Sequence, residues 1–164
     1  MINYIKSTEK DMDMLIESRM EMLKVVNNLP DNYKFNDDFI EASKIFFASS
    51  NQTSILAINE NKKVIGCASM CYIEIMPTFS HPTGKRAHLM NVYTNARFRR
   101  QGIAKKMLEI LINEAKERGV TEISLDTTET GRAFYKSCGF KESEECMVLD
   151  LNTYRFSQPT KIFL

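Results

Sequence analysis

Arg99-Arg100-Gln101-Gly102-Ile103-Ala104 lies between an apolar run, His88-Leu89-Met90-Asn91-Val92-Tyr93, and a helical pattern that lasts to Arg118. The spacing predicts a strand, a short turn and the start of a helix. A helix N-terminus carries backbone N–H groups without intrahelical partners and the positive end of the dipole, so it can hold a phosphate. Gly102 has no Cβ, which permits an unusual backbone angle and close approach of a ligand to the main chain, and Ala104 keeps the next turn small. The same six residues also fit an ordinary strand-to-helix connection, because short glycine motifs match by chance. The surrounding chain has to decide between the two.

Downstream, Ala104, Met107, Leu108, Leu111 and Ala115 share one helical face, with Lys105, Lys106, Glu109, Asn113 and Lys116 on the other and Gly119 as the stop. Glu122 to Asp126 follows as a short strand, so residues 87 to 126 read as strand, helix and strand, the parallel part of a sheet. Upstream, residues 2 to 6 predict a first strand, and Thr8-x-x-Asp11 resembles a helix-start box. Met12, Leu15, Ile16, Met22, Leu23 and Val26 then recur at helical spacing, with Glu17, Arg19, Glu21 and Lys24 mostly off that stripe.

After a loop over Asn27 to Asn36, a second helix runs to about Ser50 and turns Phe39, Phe46 and Phe47 to the core. Ser54 to Ile58 and Val64 to Ile75 form a hairpin. Met76 to Arg86, with two prolines, is a long loop and a candidate substrate lid, in which His81 reads as an exposed loop residue. Gly131 to Ser137 is a short helix, and Cys146 to Leu151 is a final strand. The expected fold is a layered α/β domain with a mixed, mostly antiparallel sheet.

The 164 residues fit a single domain over 1–164, and 43 % hydrophobic with 26 % charged content is that of a globular protein. Lys plus Arg is 22 against Asp plus Glu 21, which gives no electrostatic reason for a nucleic-acid or membrane partner. Arg97, Arg99 and Arg100 make a local basic patch without an extended basic face. The N-terminus lacks the apolar core of a signal peptide and no run approaches ~18 apolar residues, so a cytoplasmic location is expected. Cys67, Cys71, Cys138 and Cys146 show neither a Cys-x-x-Cys pair nor a histidine cluster, so no metal site is expected. Cys67 and Cys71 share one face of a strand and read as buried thiols.

Three features in order resemble the GNAT superfamily of acetyl-CoA-dependent N-acetyltransferases. Arg99-x-x-Gly102-x-Ala104 is similar to the family's phosphate loop, the strand Glu122 to Asp126 follows it, and Ala133-Phe134-Tyr135-Lys136-Ser137-Cys138-Gly139-Phe140 is similar to its aromatic-Tyr-x-x-x-Gly-Phe element. The resemblance is specific over residues 87 to 140. Thr128 stands where many members carry an asparagine, and Gly131 replaces a frequent alanine.

The resemblance implies a three-layer domain and acetyl-CoA as cosubstrate. The coenzyme A pyrophosphate would lie on Arg99, Arg100, Gln101, Gly102, Ile103, Ala104 and Lys105, and the pantetheine arm beside Val92, Tyr93 and Thr94, with Thr128 offering one hydroxyl. A backbone N–H near Val92 would polarise the thioester carbonyl. Tyr135 matches the family's general acid, and a neutral phenol at pH 7 is available to donate. Glu74, His88 and Asn91 are the polar residues expected near the acceptor amine, Glu74 as a base and Asn91 as a positioning group. The implied reaction moves an acetyl group to a primary amine of a small molecule or peptide. The competing reading is a non-catalytic acyl-CoA sensor. A homodimer through the final strand and the tail from Leu151 to Leu164 fits the resemblance.

Overall fold

The computed structural model describes residues 1–49, 51–143 and 146–153. By its internal contacts the chain divides into two compact units, Met1–Thr127 and Thr128–Leu164, and each is described by itself.

In the first unit the elements run β1 Asn3–Lys6, α1 Met12–Val26, α2 Asp37–Ala48, β2 Gln52–Ile58, β3 Val64–Glu74, β4 Lys85–Thr94, α3 Ile103–Glu117 and β5 Glu122–Leu125. This is the element order the sequence predicts. The strands lie side by side in chain order, antiparallel from β1 to β4 and parallel between β4 and β5. The local chemistry is visible at each start: the Thr8 N–H and hydroxyl both donate to the Asp11 carboxylate ahead of α1, and the Asp38 N–H donates to the Asn36 side chain at α2.

Alternation along the strands sorts the core into two faces. Leu56, Cys67 and Tyr93 pack with Leu15, Ile16 and Met22 of α1 and Phe47 of α2. The alternate face meets α3, where Gly66 approaches Ile103 and Met107, and α3 buries Ile103, Met107, Leu108, Leu111 and Ala115. Helices on both faces of one sheet make a three-layer α/β arrangement. Glu114 ties α3 to the sheet by accepting from Lys6 of β1, Thr53 of β2 and Arg118. Burial opposes its ionisation, but these hydrogen bonds outweigh burial and hold the carboxyl at about 2.

Three expectations in this unit change. Phe39 is 39 % exposed rather than in the core, and the Arg19 guanidinium carbon lies over its ring, 5.7 Å from the centroid. The loop between β3 and β4 is pinned at the start of β5, His81 Nδ1 lying 3.0 Å from Thr121 Oγ1 and Thr83 Oγ1 donating to Gly119 O. That is the end of β4 remote from the glycine turn, so the loop does not cover it, and His81 is engaged rather than a bare loop residue.

In the second unit α4 spans Glu129–Ser137, two residues earlier than predicted at its start because Thr128 caps it, its hydroxyl accepting from Gly131 N–H. Glu142 pairs with Arg132 and Lys136. The strand expected over Cys146 to Leu151 does not form: these residues carry no strand pairing, and Met147, Val148, Leu149 and Leu151 are exposed. An alternating apolar run becomes a strand only when a partner satisfies its backbone, and among the described residues none is paired to it. The remainder of the tail, residues 154 to 164, part of the segment expected to make a dimer contact, lies outside the described residues. Among the described residues no helix is long and apolar enough to cross a membrane, and no group of three or more His, Cys, Asp or Glu could hold a metal ion.

Candidate functional site

The central feature is a bulge in β4. Ser69 pairs with Met90 and Cys67 with Tyr93, so β4 carries Asn91 and Val92 where β3 has only Ala68. Asn91 takes up the extra residue with φ 57°, a left-handed conformation that asparagine tolerates better than most residues. It is buried and held in place: its amide lies 3.4 Å from Ser69 Oγ, and its carbonyl accepts from Cys67 Sγ at 3.3 Å. An extra residue shifts every later side chain to the other face. Leu89 therefore faces α3, whereas Tyr93 faces α1, and burial pushes the Cys67 thiol in that layer up to about 12.

Beyond the bulge the sheet is open on one side. β5 pairs with β4 only from Arg86 to Leu89, so Met90 to Thr94 have no β5 partner among the described residues. An extended ligand can add to such an edge as a strand would. Thr94 also holds a buried hydroxyl with no hydrogen-bond partner among the described residues. Tyr93 turns its side chain away from the edge and donates to Glu21 Oε1 at 2.7 Å, an oxygen that Asn95 Nδ2 shares at 3.0 Å. Burial and that hydrogen bond raise the phenol's pKa, so it stays neutral.

The edge leads into the glycine turn. Asn95 caps a 3-10 turn over Ala96–Phe98, and Arg99 Nε reaches back to Thr94 O at 3.1 Å. Arg100 and Gly102 then take φ 63° and 80°, and Gly102 is the N-cap of α3 with no side-chain cap. A Cβ at Gly102 would meet no atom within 4 Å, so the glycine serves backbone conformation and faces open space. The first intrahelical bond is Lys106 N–H to Gly102 O, which leaves the N–H groups of Ile103, Ala104 and Lys105 ahead of it without intrahelical acceptors. Successive backbone N–H groups in this conformation form a concave anion seat.

The remaining sequence-predicted residues fall elsewhere. Glu74 pairs with Lys85 at the far end of β3, five residues from Ser69 or about 17 Å along the strand, so it is not brought to the bulge. His88 Nδ1 lies 2.9 Å from Ser124 Oγ on β5. In the second unit, Tyr135 packs edge-on to Phe134 and Phe140, with centroids 5.1 and 5.8 Å apart. Burial, then the nearby Cys138, raises its pKa above the usual 10.

One residue was missed. Arg19 is half-buried beside the bulge, with Nη1 3.4 Å from Asn91 Oδ1 and Nε 3.4 Å from Ser43 Oγ. The signal was its position four residues after Leu15 and three before Met22, a place on the apolar side of α1.

The profile of the acetyltransferase (GNAT) family matches residues 15–140. The glucosamine 6-phosphate N-acetyltransferase of Arabidopsis thaliana is 31 % identical over 67 residues, 41 % of this chain and 45 % of that protein. The enzyme of the same name from Trypanosoma brucei brucei is 26 % identical over 99 residues, 60 % and 65 % of the two. The chain thus spans 45 to 65 % of the length of these curated relatives. A structure from Clostridium acetobutylicum, described as a predicted acetyltransferase with acetyl-CoA, aligns with TM-score 0.82 and 31 % identity over 95 % of this chain and all of that one.

Proposed function

Because the chain belongs to the acetyltransferase (GNAT) family, we propose that it is an acetyl-CoA-dependent N-acetyltransferase acting on a primary amine of a small molecule or peptide. The observation that carries this reading is the open edge of β4 from Met90 to Thr94, running into the bare N-terminus of α3. Together they fit an extended ligand that ends in a pyrophosphate. The Thr94 hydroxyl, without a partner among the described residues, and the open space at Gly102 add to that fit. Acetyl-CoA supplies an acyl group activated as a thioester.

In this reading the N–H groups of Ile103, Ala104 and Lys105 hold the pyrophosphate, and Arg100 and Lys105 add positive charge. The bulge at Asn91 aims a backbone N–H near Val92 at the acyl oxygen, where negative charge grows as the amine attacks. The new C–N bond replaces the C–S bond, the amine gives up a proton to solvent, and Tyr135 returns a proton to the departing sulfur. The resemblance assigns Tyr135 that role, and its phenol is protonated and available to donate at neutral pH. Asn91 is a positioning residue, since its amide holds the bulge through Ser69. A cytoplasmic location and a homodimer belong to the same reading.

Calorimetric titration with coenzyme A and thiol release with a panel of amines test the proposal. Coenzyme A binding with amine-dependent thiol release is expected. Absence of binding refutes the whole reading, and binding without release from any amine leaves an acyl-CoA sensor.

A further inference from the structure

We propose that the acceptor carries an anionic group, a carboxylate or a phosphate ester, held by Arg19 while its amine stands at the Asn91–Val92 bulge. This rests on the transferase reading above and names the chemistry of its second substrate.

Among the described residues Arg19 is a cation without a counter-ion. Its guanidinium lies over the rings of Phe39 and Phe47, 5.7 and 6.0 Å from their centroids. Its hydrogen bonds go to two neutral oxygens, Ser43 Oγ and Asn91 Oδ1, both at the long distance of 3.4 Å. Among the described residues no carboxylate is in ion-pair contact with it, although Arg86, Arg118 and Arg132 each have one. The polar chain behind it is neutral throughout: Asn91 to Ser69, Ser69 to Ser54 and Ser54 to Gln52. The nearby carboxylate, Glu21, has one oxygen committed to Tyr93 and Asn95.

Withdrawing a charge from water without a partner is costly, so half-buried arginines usually meet an acid. Two of the five guanidinium donors are engaged here, and weakly, which leaves a planar fork suited to a bidentate oxyanion. The position gives this vacancy a use. Arg19 is one hydrogen bond from Asn91, the residue whose left-handed backbone makes the bulge. An acceptor whose amine reaches the bulge therefore has its body beside Arg19, and an anion a few bonds from the amine completes the pair. A purely structural Arg19, stacked on two rings, would be indifferent to acceptor charge.

Matched pairs test this: glucosamine 6-phosphate against glucosamine, and phenylalanine against phenylalaninamide. Thiol release is measured with acetyl-CoA, and rates are corrected for each amine's free-base fraction. In at least one pair the anionic member should exceed its neutral partner about tenfold to a hundredfold in kcat/KM, the range expected for charge-assisted hydrogen bonds. The pair that shows the preference identifies phosphate or carboxylate. Arg19→Met should abolish that preference through KM with coenzyme A affinity retained, and Arg19→Lys, which keeps the charge but not the fork, should retain part of it. Equal rates within both pairs overturn the proposal, as does a preference that survives Arg19→Met. Should no amine release thiol, the transferase reading fails, and calorimetry of the same pairs on the coenzyme A-loaded protein judges the anchor separately. Anion-dependent binding lost in Arg19→Met upholds it, and its absence from the wild type overturns it.

Discussion

Replacing Gly102 with alanine separates the conformational role of the turn from its role as a ligand seat. At φ 80° an L-residue costs about 1–2 kcal/mol. The added Cβ meets no atom within 4 Å, so no steric clash adds to that figure. For a chain of this length the loss corresponds to a melting midpoint lower by roughly 2–8 °C. If a pyrophosphate occupies the space that the methyl enters, at least one charge-assisted hydrogen bond is lost as well, about 1.5–3 kcal/mol, or roughly tenfold to 150-fold in Kd. Thermal melting reads the first quantity and calorimetric titration with coenzyme A the second. Pantetheine, which lacks the pyrophosphate, is the control and should bind both proteins alike. A folded Gly102→Ala protein that binds coenzyme A within about twofold of wild type would falsify the placement of the pyrophosphate on this helix N-terminus.

Tyr135→Phe should lower kcat by about 10²–10⁴ with coenzyme A affinity retained, and full turnover would remove the acid role. Because burial and Cys138 raise the Tyr135 pKa, the wild-type pH profile should show no basic decline from this group below its ordinary value of about 10. Glu114→Gln should destabilise the protein by about 1–3 kcal/mol at pH 7, since the carboxyl falls from the ordinary carboxylate range to about 2 on folding and its side chain is only 17 % exposed. A depressed folded pKa contributes stability above the unfolded value that is lost as pH falls through the folded one. Urea midpoints of the two proteins should therefore converge between about pH 5 and pH 2, and a gap unchanged at the lowest pH would contradict the network. Iodoacetamide at pH 8 should label exposed Cys146 and spare Cys67, whose buried thiol is pushed up to about 12; labelled Cys67 in the native protein, read by peptide mass spectrometry, would contradict its burial.

Legibility in the sequence followed the range of the interactions. The α3 stripe and the hairpin strands were readable because their periods are local. The glycine turn was readable because Gly102 needs a backbone angle that few residues adopt. The bulge was not: the buried positions Ala87, Leu89, Asn91 and Tyr93 keep a period of two along the chain, while the face they point to changes at Asn91. Glu74 looked close to the chemistry as a carboxylate on a central strand, but strand register sets it opposite Lys85, at the other end. The apolar alternation of Cys146 to Leu151 suggested a strand, and pairing, which alternation alone cannot supply, is missing there among the described residues.

The sequence by itself determined the order of elements over the first unit, the turn at Gly102 and the Tyr135 pattern, since each depends on residues within a few positions of one another. Only the tertiary structure decided that β4 carries an extra residue and that, among the described residues, its pairing with β5 ends at Leu89 and Arg19 stands beside the bulge without an acid. These follow from meetings between distant segments, Asn91 with Ser69 across 22 residues and with Arg19 across 72. A cation's need for a partner becomes visible only when its neighbours in space, rather than in the chain, are known.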